Sequence, residues 1–152
     1  MIWTVKHWSE LTRDELYDLL VLRTAVFVVE QACPYQEADG LDRRAWHVFA
    51  RDADGKIAAC LRVMAPEPGS DTAVIGRVVT APAHRGIGLG RALLERGVQT
   101  AWAQTDARRI LLHAQSYARG FYQKAGFRPT ARPEFLEDNI PHLEMELVRK
   151  AR

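Results

Sequence analysis

Three glycines at alternate positions, Gly86, Gly88 and Gly90, lie in the stretch AHRGIGLGRAL, between a valine-rich segment and an amphipathic one. The upstream segment, AVIGRVVTAP, reads as a strand. Downstream, Leu89, Leu93, Leu94, Val98 and Ala101 recur at helical spacing, with Arg91, Glu95, Arg96 and Gln99 on the other side, which predicts a helix ending near Gln104. A strand, a glycine loop and a helix start in that order bring free backbone N–H groups and the positive end of a helix dipole to one point, an arrangement suited to phosphate oxygens. The loop is not of the Walker type, because Gly90 is followed by Arg91 and Ala92 rather than by Lys and Ser or Thr. It also departs from the dinucleotide fingerprint: Gly88 and Gly90 are two residues apart instead of three, the motif lies in mid-chain, and Asp106 would have to serve as the ribose acid. A nucleotide-binding protein is therefore a third-rank reading, and a tight turn without ligand stays open.

The remaining pattern places this loop in one α/β unit. Thr12 and Glu15 have the spacing of a capping box, followed by Leu16, Leu19, Leu20, Val26 and Phe27, which predicts a first helix from about Arg13 to Val29. The stretch from Ala45 to Pro66 reads as two strands joined around Asp54-Gly55. RRILLHAQ is strand-like, Ser116 is placed to cap a short helix over YARGFYQKA, and Gly126 is placed to stop it. HLEMELVRK alternates Leu143, Met145 and Leu147 with Glu144 and Glu146, as a half-buried last strand does. Strands and helices alternating around a single core predict an α/β (α+β) fold with a mixed sheet in one domain covering residues 1–152.

Composition narrows the class. A chain of 152 residues, 47% hydrophobic, is long enough for one substantial core. No apolar run is long enough for a membrane helix, and MIWTVKHWSEL meets Lys6 and His7 too early for a signal peptide, so a cytoplasmic protein without a membrane partner is expected. Cys33 and Cys60 are too few for a disulfide framework and lack metal-ligand spacing; both read as reduced thiols, and no metal is expected. Residues 1–76 hold 8 Lys/Arg against 12 Asp/Glu, and residues 77–152 hold 13 against 7. The cations of the second half are spread out rather than clustered, which argues against nucleic acid. The imbalance reads either as ordinary solvated faces or as an anionic ligand held by the second half and a cationic one faced by the first.

Two motifs together carry a resemblance. Arg85-Gly86-Ile87-Gly88-Leu89-Gly90 resembles the Gln/Arg-x-x-Gly-x-Gly/Ala pyrophosphate loop of the GNAT superfamily of N-acetyltransferases, and FYQKAGF, Phe121 to Phe127, resembles its second signature. The stretches Leu22 to Asp42 and Glu137 to Met145 look like the ElaA-like branch, so the resemblance spans most of the chain. It implies a mixed, mostly antiparallel sheet splayed between its fourth and fifth strands, about Ala73–Thr80 and Arg109–Ala114 with IWTVKHW counted as the first, and helices on both faces. It further implies acetyl-coenzyme A as acyl donor. The pantetheine arm would pair with the backbone of Val78 and Val79, and the amides from Arg85 to Gly90, through Gly86, Ile87, Gly88 and Leu89, would hold the pyrophosphate, with charge from Arg85 and Arg91. At the end of the fifth strand, where many relatives carry asparagine, this chain has Gln115, a candidate for a cofactor or acceptor contact.

The implied reaction is attack of an amine on the thioester, with the Val79 N–H as oxyanion donor and Tyr122 in the position of the family's general acid. A packing tyrosine is the alternative for Tyr122. The base is open, because the fourth strand lacks the glutamate that relatives often carry there; Glu30, Asp39 and His47 are the candidates. Arg23 and Glu30 lie on the apolar face of the first helix, either lining an acceptor cleft or forming a buried ion pair. Glu37, Asp39 and Asp42 suit a cationic amine. An acyl-coenzyme A binding or sensing module without turnover is the runner-up, and the oligomeric state is left open, a homodimer included.

Overall fold

A computed structural model describes residues 1–151. Eight strands and three α-helices follow one another as β1 (Ile2–His7), α1 (Arg13–Arg23), β2 (Ala45–Arg51), β3 (Ile57–Met64), β4 (Thr72–Thr80), α2 (Leu89–Gln104), β5 (Arg109–Gln115), α3 (Arg119–Lys124), β6 (Arg128–Pro129), β7 (Phe135–Glu137) and β8 (Ile140–Val148). They build one sheet in the order β1-β2-β3-β4-β5-β8-β6, with β7 paired to the other end of β8. Every pairing is antiparallel except β4 with β5. That parallel pair is short, joining Thr72–Val74 to Arg109–Leu111. Beyond Val74 and Leu111 the two strands separate, so the sheet opens in its middle.

Burial on both faces fixes the helices. On one face Leu89, Leu93, Leu94 and Ala101 of α2 pack on Val48, Leu61, Val63, Ile75, Ile110, Leu112 and Met145. On the other, Leu19, Leu22 and Val26 pack on Phe49, Ile57, Cys60 and Val79. The capping box forms as the sequence predicts: the Glu15 N–H donates to Thr12 Oγ1 at 3.1 Å, and the Thr12 N–H donates to Glu15 Oε1 at 2.8 Å.

The first helix differs from the expected Arg13–Val29. Its α-geometry ends at Arg23, and Thr24–Glu30 continues as a π-helix. The Gln31 N–H reaches Val26 O at 3.0 Å and the Cys33 N–H reaches Val28 O at 3.1 Å, each five residues back. The β-branched residues Thr24, Val26, Val28 and Val29 crowd a regular turn, and the wider turn swings Glu30 and Gln31 away from the core.

Ser116 does not cap a helix. It opens a 3-10 turn, Ser116–Ala118, and its hydroxyl donates to Glu134 Oε2 at 2.8 Å, so α3 begins only at Arg119 with Ala118 as its unassisted cap. Gly126 does end α3, at φ 98°. The short strands β6 and β7 escaped the periodicity argument because two or three residues carry no period. The tight turn from β7 into β8 is made by Asp138 and Asn139, both at positive φ, 51° and 64°.

Candidate active site

The opening between β4 and β5 is the floor of a cleft of about 1030 Å³. Its walls come from the π-helical turn, the glycine loop, α3 and the β7–β8 hairpin. The loop runs from β4 through a 3-10 turn at Pro82–His84, and Gly86 and Gly88 then take φ 82° and 81°. Left-handed residues at alternate positions turn successive N–H groups toward one side, as in an anion-binding nest. Among the described residues no protein group accepts a hydrogen bond from the N–H groups of Gly86 to Arg91; the first amide engaged is that of Ala92, which donates to Gly88 O at 3.2 Å. Six consecutive free donors at the head of a sixteen-residue helix are therefore presented to the cleft mouth.

Arg85 is already engaged. Its guanidinium donates to both carboxylate oxygens of Glu30, at 2.8 and 2.7 Å, and to Thr80 O at 3.2 Å. Glu30 thus lines the cleft as a partner of the loop, and its hydrogen bond from Arg85 lowers its pKa. Arg91 reaches only Glu95, on the surface of α2.

Strand β4 carries a bulge at Arg77, φ 53°, where the register against β3 slips between Cys60 and Arg62. The extra residue inverts the side-chain alternation: Ala73 and Ile75 pack toward α2, whereas Val79 packs toward α1. It also decides which amides face the opening. The Ala81 N–H bonds the opposite Ala58 O at 2.8 Å, so in the antiparallel alternation Val79 faces its partner Cys60 while Thr80 and Val78 turn their N–H groups to the open edge. The Val79 N–H, expected as an oxyanion donor, therefore faces β3 rather than the opening. An extended strand cannot offer two adjacent amides to one side, so the free edge belongs to Val78 and Thr80.

Across the opening stand Gln115 and Tyr122. Gln115 ends β5 opposite His142 and donates to Gln31 Oε1 at 3.2 Å, tying β5 to the π-helical turn. The Tyr122 ring is wedged edge-on against Phe121 and Phe127, at 5.0 and 6.2 Å between centroids. Burial pushes its phenol up to about 12, so it keeps its proton at neutral pH. The side chain lines the cleft, and its hydroxyl is not among the sealed, unpartnered polar atoms.

Three acceptor-side candidates lie elsewhere. Arg23 is 2% exposed and bonds Asp42 Oδ1 at 2.7 Å and Glu37 Oε2 at 3.2 Å, not Glu30. Asp39 is held by Arg62 at 2.7 and 2.9 Å and by Arg77 at 3.3 Å, and Arg77 Nε also reaches Glu37 Oε2 at 2.6 Å. His47 is buried beside this network with Nε2 3.0 Å from Asp42 O, and burial lowers its pKa. None of Arg23, Asp39 and His47 lines the cleft. The acidic run Glu37, Asp39 and Asp42 is neutralised by Arg23, Arg62 and Arg77, which leaves no free acidic face there for a cationic acceptor. Arg62 and Arg77 carried no sequence signal, because a lone arginine in a strand looks like any solvated one.

Other titratable groups that line the cleft include Tyr35, His113, Glu137 and His142. Of these, Glu137 and His142 belong to EDNIPHLEM, a stretch visible in the sequence as a resemblance and, from His142 on, as a strand, without chemistry attached.

Comparison with known proteins agrees with this geometry. The acetyltransferase (GNAT) domain family matches residues 10–149. A UPF0039 protein of Schizosaccharomyces pombe is 41% identical over 143 residues, covering 93% of each chain. The crystal structure of an acyl-CoA N-acyltransferase from Pseudomonas aeruginosa superposes with a TM-score of 0.90 at 44% identity, covering 99% of this chain and 100% of that one. That of Escherichia coli ElaA does so with a TM-score of 0.89 at 36% identity, covering 98% and 99%. With the splayed sheet, the free loop amides and these matches in agreement, the chain belongs to the GNAT acetyltransferase family, in its ElaA-like branch.

Proposed function

We propose that the protein transfers an acyl group, acetyl in the first instance, from a coenzyme A thioester to a primary amine. The observation that carries this reading is the row of six unpartnered N–H groups from Gly86 to Arg91 at the mouth of the cleft. They suit a pyrophosphate, with Arg85 free to turn to it once Glu30 lets go. The free edge of β4 suits the amide-bearing pantetheine arm, which would add to Val78 and Thr80 as an extra strand. In this reading the thioester carbonyl lies at the Val78 N–H, which stabilises the oxyanion formed on attack. The Tyr122 hydroxyl faces the departing sulfur, and Gln115 borders the acyl group.

The test is a panel of primary amines offered with acetyl-coenzyme A while free thiol is recorded. Amine-dependent thiol release with a matching N-acetyl product is the expected result. Tight coenzyme binding with no release for any amine would replace this reading with a binding or sensing module.

A further inference from the structure

We propose that His142 is the general base that takes the proton from the acceptor ammonium, with Glu137 as the carboxylate that accepts the hydrogen bond of Nε2 once it is protonated. The inference rests on the acyl-transfer reading and assigns the group that reading lacks. At pH 7 only about one molecule in 2,500 of an amine with pKa ~10.4 is neutral, so a base is required. Strand β4 carries no carboxylate over Thr72–Thr80. Glu30 is engaged by Arg85, Glu37 and Asp39 are engaged by arginines, and His47 is away from the cleft.

His142 is built differently. It lies on β8 directly opposite Gln115, is 6% exposed and lines the cleft. Its Nδ1 is 2.6 Å from Ile140 O, so Nδ1 carries the hydrogen and Nε2 holds the lone pair. That Nε2 is 3.5 Å from Glu137 Oε2, an acceptor for the N–H that forms there when a proton arrives. Phe135 stacks on the ring at 6.0 Å between centroids and fixes its plane. Glu137 in turn accepts from His113 Nδ1 at 3.2 Å. The other charged groups nearby are Glu144, 3.6 Å from His113 Nε2, Arg132, whose guanidinium lies 3.7 Å from the Phe135 ring centroid, and Asp138 in the turn.

The proton balance closes. One ammonium proton passes to His142 Nε2 and then to solvent. The freed nitrogen bonds to the thioester carbon, the carbonyl pair moves to oxygen, and its return expels the thiolate. A second nitrogen proton passes to solvent as the amide forms, and the thiolate gains one from water or from Tyr122, which then regains its own from solvent.

The experiment uses the full chain and the most active amine of the panel, with wild type, His142→Gln and Glu137→Gln compared from pH 6 to pH 10. His142→Gln should lower kcat/KM about 100-fold at pH 7, with acetyl-coenzyme A affinity unchanged. The deficit should narrow toward pH 10, where the amine supplies its own neutral form. Glu137→Gln, on an exposed side chain that threatens no core, should lower kcat/KM about 3- to 10-fold at pH 7, less than His142→Gln, with acetyl-coenzyme A affinity unchanged, since the protonated ring loses its acceptor. Nitrogen-15 imidazole shifts should report the Nδ1–H tautomer for His142. A His142→Gln enzyme within threefold of wild type at pH 7, a deficit constant to pH 10, or a Glu137→Gln enzyme with wild-type kcat/KM would each overturn the assignment. Wild type that binds the coenzyme yet releases no thiol with any amine would instead overturn acyl transfer, and the base with it.

Discussion

Replacing Gly88 with valine separates backbone geometry from bulk at the loop. A Cβ built on Gly88 meets no atom within 4 Å, so the protein itself offers no clash. The obstacle is the dihedral: φ is 81° and ψ 6° at the N-cap of α2, a conformation that costs an L-residue about 1–2 kcal/mol and a β-branched one more. If the loop holds its shape, the cost falls on stability, and at about 2–4 °C per kcal/mol the melting temperature drops by about 2–8 °C. If the loop relaxes instead, the amides of Gly88 and Leu89 leave the anion site. Losing two charge-assisted hydrogen bonds at about 1.5–3 kcal/mol each weakens acetyl-coenzyme A binding by a factor of about 100 or more. Relaxation is the cheaper route, because the loop is exposed and few contacts hold it. Calorimetric titration of acetyl-coenzyme A should therefore show a large affinity loss for Gly88→Val with a modest change in melting temperature. Gly88→Asn, which tolerates the left-handed region, should bind within about tenfold of wild type. Equal affinity for all three proteins, or equal losses for Val and Asn, would refute the argument from dihedral geometry.

Tyr122→Phe keeps the ring packing and removes the hydroxyl. Because a phenol near 12 transfers its proton uphill to a thiolate of pKa ~8.5, its gain comes mostly from hydrogen bonding to the leaving sulfur, and a kcat loss of about 10- to 100-fold is expected with coenzyme affinity unchanged. Wild-type kcat under conditions where chemistry limits the rate would remove Tyr122 from the reaction. Glu30→Gln should free Arg85 and tighten acetyl-coenzyme A binding, most at low ionic strength, with no change in the amine KM; weaker binding in titrations at two salt concentrations would contradict this. Acid should destabilise the fold in two stages. Burial holds His47 below 6.5, and although burial raises Asp39 and Asp42, the arginine hydrogen bonds outweigh it and bring both below 3.8, Asp39 to about 2. In all three the unfolded chain binds protons first, so stability rises with pH and is lost on acidification, below 6.5 for His47 and between 3.8 and about 2 for Asp39. Thermal melts from pH 7 to about pH 2 should show both stages, with the lower one blunted in Asp39→Asn; a melting temperature flat across this range would refute the assignment.

Local patterns were legible where the cause was local. The capping box at Thr12 and Glu15, the turn at Asp54-Gly55 and the glycine loop ahead of α2 each depend on residues within a few positions of one another, and all formed as read. The change to π-geometry at Thr24 was not legible, since the periodicity of apolar residues tolerates a wider turn.

By itself the sequence determined the longer elements and the glycine loop, because backbone N–H groups freed by glycines need no partner from elsewhere in the chain. The tertiary structure decided the acceptor side. Whether Glu30 or Asp39 is a free carboxylate depends on Arg85, Arg62 and Arg77, which lie 55, 23 and 38 residues away. The same holds for the free edge of β4: the register against β3, with a single bulge at Arg77, turns the Val78 N–H rather than that of Val79 to the opening. It holds again for His142, whose neighbours Gln115 and Glu137 meet it only through strand pairing. Chemistry set by a side chain's own type can be read along the chain, whereas protonation, free valence and direction depend on partners that only the packed sheet brings together.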